Sequence, residues 1–229
     1  NMLKIAAAIL SGAILASCST TDTGPVVRLK DGEQAVPADY KSWPKFLMNV
    51  QRGGPSTGMP TRTQQADILA CAYASHGDTK HVLLFPQDPH EAFEMSAASF
   101  DLADRLQTPV FLMLDLDIGM NQRLAKPFTW DDARRYDRGK VMTAEMLDEG
   151  KEFGRYLDVD GDGIPFRTYP GTHPSKGAYF TRGTSKNPYA TYSEAGPDYQ
   201  YNMQRLLKKH DFAKTLVPKP ALTPANEPA

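Results

Sequence analysis

Cysteine is nearly missing from this 229-residue chain, which has two, Cys18 and Cys71. Two thiols exclude a disulfide scaffold, a four-cysteine zinc site and an iron–sulfur cluster held by this chain alone. The chain has no Cys-x-x-Cys-His, so covalent c-type haem attachment is excluded as well. An excess of charge is also lacking. Lys plus Arg number 26 against 27 Asp plus Glu, so no global field favours nucleic acid or an acidic membrane, and no nucleic-acid partner is expected. With 41% apolar and 23% charged residues, the chain nevertheless has the composition of a folded protein.

One apolar run stands out, from Met2 to Cys18, with a single positive charge at Lys4. It is too short to span a bilayer and reads as a secretory signal. Its end, Leu15-Ala-Ser-Cys18, resembles a bacterial lipobox, which implies a lipid on Cys18 and a membrane attachment through that lipid only. Residues 19–48 read as a linker, and residues 36–47 have neither a helical nor a strand period.

From residue 49 the character changes. Arg52-Gly-Gly-Pro-Ser-Thr-Gly-Met-Pro-Thr61 is a glycine-rich loop containing Gly54, Ser56, Thr57 and Gly58, followed by helix formers from Gln64. A loop feeding a helix start offers unpartnered N–H groups to an anion, and Arg52 adds a planar fork for a carboxylate. A nucleotide-triphosphate loop is excluded, because Met59-Pro60 stands where Lys and Ser or Thr are required. Thr61 has a second reading as a helix N-cap with Gln64 as its capping-box partner.

Residues 81–86 and 109–115 are short apolar runs on either side of an amphipathic stretch from Pro89 to Gln107. Strand, helix, strand is the economical reading, and it predicts an α/β architecture with a parallel sheet covered by helices. Asp115 and Asp117 would emerge at a carboxyl strand end, where they read as a solvated acidic pair rather than a metal set. Residues 126–220 are polar and aromatic with few periodic segments. Within them, Asp158, Asp160, Asp162 and Gly163 have the spacing of a calcium loop, but Tyr169 takes the place of its closing Glu. Gly161-Asp-Gly163 with Asn187 approximates a thiamine-diphosphate motif. A tight acidic turn accounts for the same residues more simply.

Several collinear motifs together resemble one family: Arg52 to Asp67, Asp158-Val-Asp-Gly-Asp-Gly-Ile-Pro165, Arg167-Thr-Tyr-Pro-Gly-Thr-His-Pro174, Tyr179-Phe-Thr-Arg-Gly-Thr-Ser185 and Leu216-Val-Pro-Lys-Pro220. The chain is similar, over about residues 49–220, to the alpha subunit of 2-oxoacid:ferredoxin oxidoreductases, of the 2-oxoglutarate type. That resemblance implies a thiamine-enzyme pyrimidine-type α/β domain over 49–125, an extended, loop-rich segment of the same subunit over 126–220, and a disordered tail over 221–229. It implies oxidative decarboxylation of a 2-oxoacid with coenzyme A, giving acyl-CoA, carbon dioxide and reduced ferredoxin. Thiamine diphosphate, magnesium and an iron–sulfur cluster are implied on a beta subunit, with none bound by this chain alone. Arg52 and Thr61 fall on family positions associated with the oxoacid, and Gly54, Ser56, Thr57 and Gly58 on the loop between them. Decarboxylation belongs to the cofactor, while the protein orients substrate and charge.

The family's Tyr-Pro-x-Thr-Pro motif is missing upstream of Arg52, together with the acid that activates thiamine. The resemblance implies a cytoplasmic enzyme, the leader a membrane-anchored lipoprotein. These two signals together predict a mosaic joined near residues 49–52 and a fragment inactive by itself. The alternative is an exported lipoprotein serving as a binding or structural module without catalysis.

Overall fold

The computed structural model describes residues 46–54, 58–75, 79–180 and 184–220. The expected leader over 2–18 with Cys18, most of the linker, Ser56, Thr57 and the tail over 221–229 lie outside these residues. Among the described residues the fold is built on three parallel strands, β1 (Phe46–Gln51), β2 (Val82–Leu84) and β3 (Val110–Asp115), in the order β1-β3-β2. The helices are α1 (Ile68–Ala72), α2 (Pro89–Leu106), α3 (Leu116–Gly119), α4 (Ala144–Asp148) and α5 (Gly196–Ala213). The expected α/β class with a parallel sheet and flanking helices is what the chain adopts.

The central strand explains its own sequence. β3 pairs on both sides, Phe46 to Gln51 opposite Val110 to Asp115 and Val82 to Leu84 opposite Val110 to Leu112. A parallel strand covered on both faces needs a near-continuous apolar run, and Val110, Leu112, Met113 and Leu114 are all buried. α2 is delimited by standard chemistry. The Asp88 carboxylate accepts from the Glu91 N–H at 2.8 Å, Pro89 opens the first turn, and Gln107 closes the helix in the left-handed region at φ 51°. Leu102, Ala103 and Leu106 of α2 then pack on the sheet in one cluster with Ile164 and Ala213. Full burial of a leucine such as Leu106 is worth about 1.5–3 kcal/mol.

Four elements were not legible in the sequence: the short helices α3 and α4, and two longer elements. β1 begins at Phe46, so residues 46–48, assigned above to the linker, belong to the sheet. The run Phe-Leu-Met-Asn-Val-Gln has no clean alternation, because β1 is half-buried on both faces until the buried Gln51. The second is the 18-residue α5, lying inside the segment expected to be extended and loop-rich. Its inner face is Asn202, Arg205 and Ala213, so the apolar period that announces a helix is replaced by buried polar groups.

Buried charge joins the 126–220 segment to the sheet domain. The Asp104 carboxylate, on α2, is only 2% exposed and takes Arg167 Nη2 at 2.7 Å and Arg138 Nη1 at 3.1 Å. Arg167 also donates to the Arg138 carbonyl at 2.8 Å. A second close approach occurs at Gly163, whose φ is +79°; a Cβ there would lie 2.4 Å from the Arg205 carbonyl and the Lys209 nitrogen of α5. Only glycine fits this position.

Candidate substrate site at the carboxyl edge of the sheet

In parallel α/β sheets the strand carboxyl ends face the ligand crevice, and β1 and β3 end side by side at Gln51 and Asp115. Arg52 follows directly and is exposed; among the described residues it makes no ion pair or hydrogen bond. Asn49 and Gln51, two apart on one face of β1, each keep a buried side-chain oxygen without a donor among the described residues. Asn49 donates through Nδ2 to Asp67 at 3.2 Å. Two amides on one face of β1 and the exposed Arg52 that follows it thus stand at the same strand end, and the sequence singled out only Arg52 among them.

The glycine loop folds back on itself. Gly53 and Met59 form an antiparallel bridge, with Met59 N–H donating to Gly53 at 3.2 Å and Gly53 N–H donating to Arg62 at 2.8 Å. A Cβ on Gly53 would meet the Met59 Cβ at 2.8 Å, which explains a glycine there. Gly54, Gly58 and Thr61 are exposed on this hairpin. The expected helix start is not at Thr61. Residues 63–67 lack regular structure, and α1 begins at Ile68 with Asp67 at its N-cap position, without a side-chain cap. The capping box with Gln64 and the helix-start anion seat are therefore both corrected: Gly53 pairs with Met59 and Arg62, which holds Thr61 in a turn, and an acidic residue occupies the cap position of a five-residue helix. Cys71 on α1 is buried, and burial, then Asp67, pushes its thiol up, so it stays protonated and inert.

A separate cavity of about 260 Å³ lies between α2 and residues 129–134, lined by Phe93, Trp130 and Arg134 among others. None of Arg52, Gly54, Gly58 or Thr61 contributes to it. Asp115 differs from the solvated acid expected: it ends β3, and its carboxylate caps α3 by accepting from Ile118 N–H at 3.0 Å, while Asp117 is exposed in the first turn of that helix.

The acidic turn is held by protein groups. Asp158 accepts from the N–H groups of Gly161 at 3.0 Å and Gly163 at 3.1 Å. Carboxylate oxygens of Asp158, Asp160 and Asp162 lie within 4.8 Å of one another. The Lys140 ammonium sits among them, donating to Asp160 at 2.6 Å, Asp162 at 2.7 Å and the Ile164 carbonyl at 3.0 Å. Burial opposes ionisation of Asp160, but the hydrogen bond and attraction from Lys140 outweigh it and hold the carboxyl below its ordinary value. Asp162 Oδ1 also takes Ile164 N–H at 2.7 Å, while the Asn187 oxygen accepts from Tyr189 and Thr191 N–H at 3.0 Å. These side chains are committed, and they do not fit a magnesium–diphosphate grip. Lys140, distant in sequence from the turn, gave no signal in its neighbourhood.

The model of the pyruvate flavodoxin/ferredoxin oxidoreductase family, thiamine diphosphate-binding, matches residues 7–146, and the chain belongs to that family. The match covers more than half of the chain and runs across the position where a mosaic junction was expected.

Among curated relatives, the chain is 36% identical over 152 residues to the alpha subunit of 2-oxoacid:ferredoxin oxidoreductase 1 of Aeropyrum pernix, covering 66% of this chain and 23% of that protein. It is 38% identical over 76 residues to the 2-oxoglutarate synthase subunit KorA of Methanocaldococcus jannaschii, covering 33% of this chain and 21% of that protein. The chain thus spans about a quarter of the length of the curated relatives it matches. A 2-oxoglutarate:ferredoxin oxidoreductase from Magnetococcus marinus, solved with 2-oxoglutarate, coenzyme A and succinyl-CoA bound, superposes with a TM-score of 0.62 at 21% identity. That superposition covers 78% of this chain and 30% of the other, and establishes likeness of fold.

Proposed function

We propose that this chain serves in the alpha subunit of a 2-oxoacid:ferredoxin oxidoreductase, with 2-oxoglutarate as the substrate and coenzyme A as the acyl acceptor. Thiamine diphosphate, magnesium and the iron–sulfur cluster belong to a partner beta subunit in this reading, and ferredoxin takes the electrons. The observation that carries it is Arg52, placed by β1 at the carboxyl edge of the sheet of a chain in this family. A guanidinium there offers two parallel hydrogen bonds to a carboxylate. The Asn49 and Gln51 amides supply neutral polar groups on the same strand, and the hydroxyl of Thr61 a further donor. Gly54 and Gly58 carry no side chain, and Ser56 and Thr57 between them in the sequence carry short ones, a composition that suits close approach of an oxoacid.

Within this chain the arginine is open to solvent, and the site is completed across the subunit boundary. Residues of this chain bind and orient the oxoacid, and bond cleavage is left to the partner's cofactor. The test is reconstitution of the full chain with its beta subunit, followed by an assay of ferredoxin reduction that depends on 2-oxoglutarate and coenzyme A. Co-purification with that activity is the expected result. A stable chain that forms no complex overturns the assignment.

A further inference from the structure

A second polar cluster, independent of the Arg52 edge, surrounds Tyr156. The guanidinium carbons of Arg155 and Arg205 lie 5.4 and 5.7 Å from its ring centroid, and Lys186 Nζ lies 4.9 Å from it. Arg155 also stands 5.6 Å from the Tyr179 ring. Lys209 follows Arg205 by one helical turn on α5, which places both on one face.

Charge here is poorly matched. Arg205 is 7% exposed, and its Nη1 donates to the Gly163 carbonyl at 3.0 Å. The Nε atoms of both Arg155 and Arg205 are buried without an acceptor among the described residues. No carboxylate forms an ion pair with Arg155, Arg205 or Lys209 among those residues. Asp158, the carboxylate that acts on Arg205, is already taken by two N–H groups and lies 3.9 Å from Lys208. Buried cations are ordinarily paired, since desolvation and mutual repulsion both disfavour them. Burial and the two arginines push the Lys209 amine down to about 7, although the residue as a whole is only half-buried.

We propose that Arg155, Arg205 and Lys209 form a seat for a phosphate-bearing anion. Lys186 beside Tyr156 and Lys208 near Asp158 add to the positive charge, and Asp158 is the one carboxylate facing the cluster in the described ion pairs, so a multiply charged phosphate group matches the excess better than a single carboxylate. Guanidinium forks match phosphate oxygens in pairs, and lysine adds a point charge. Arg155 and Lys209 are both half-buried as residues, which puts the cluster near the surface although the Lys209 amine itself is desolvated.

The test uses the full chain and inorganic pyrophosphate as the probe, against sodium chloride at matched ionic strength. Pyrophosphate at a hundred-fold excess over Kd should raise Tm by roughly 5 °C or more beyond the salt control. Its phosphorus resonance should broaden on binding, and Arg155→Gln should weaken that binding by about tenfold or more. Lys209→Met separates a ligand seat from a structural cluster. It should raise Tm in chloride, because a desolvated amine beside two arginines is removed, and abolish the pyrophosphate increment. Equal Tm in pyrophosphate and chloride overturns the proposal, as does a Lys209→Met variant that keeps the increment or melts lower in chloride. A larger increment with 2-oxoglutarate than with pyrophosphate overturns the phosphate assignment while leaving the Arg52 reading intact.

Discussion

Replacing Asp104 with Ala tests how the 126–220 segment is joined to the sheet. Its carboxylate is 2% exposed and holds Arg167 at 2.7 Å and Arg138 at 3.1 Å. The two arginines then meet different fates. Arg138 is half exposed and is rehydrated, whereas Arg167 is 7% exposed and loses its counter-charge inside the protein. Breaking a buried pair by removing one partner costs about 3–5 kcal/mol, most of it the stranded charge. For a chain of this size that is a drop in Tm of roughly 6–20 °C. Urea unfolding followed by far-UV circular dichroism measures the loss, with the midpoint falling and the slope retained. Pairing Asp104→Leu with Arg167→Met should recover most of it, because no charge is then left unpaired. A single-variant loss below about 1 kcal/mol, or a double variant worse than Asp104→Ala alone, refutes the argument.

Further outcomes follow from the same geometry. Gly163→Ala forces a Cβ into the backbone of α5 at positive φ, and should cost about 3 kcal/mol or prevent folding, read by thermal denaturation. The Lys209 amine titrates at about 7 in the folded chain against 10.5 ordinarily, so the unfolded chain binds more protons between those values. Stability should therefore rise with pH across that window, with the full penalty present below about pH 7, and Lys209→Met should flatten the curve. The depressed Asp160 carboxyl works the opposite way. Its contribution is present above the ordinary carboxylate range and lost as pH falls through the folded value, so Lys140→Met should remove that acid dependence from the unfolding profile.

Legibility in the sequence followed hydrophobic periodicity. β2, α2 and β3 carry long apolar signals with an Asp-Pro start, and all three were readable. β1 was not, because a half-buried edge strand ending in Asn-Val-Gln has no pattern to read. α5 escaped because its inner face buries Asn202 and Arg205, which look like surface residues in a one-dimensional reading. The motif residues suggested Arg52 and the loop but not its geometry, since no local pattern announces an isolated bridge between Gly53 and Met59. Lys140 lies 20 residues before Asp160, and only tertiary contact joins them.

The central claim is that Arg52 grips an oxoacid carboxylate. The most direct measurement is the steady-state kinetics of Arg52→Ala in the complex reconstituted with the beta subunit. Loss of a charged, paired hydrogen bond of about 1.5–3 kcal/mol predicts a KM for 2-oxoglutarate raised roughly 10- to 150-fold, with kcat largely retained and the KM for coenzyme A unchanged. An unaltered KM for 2-oxoglutarate in an assembled, active complex would contradict it.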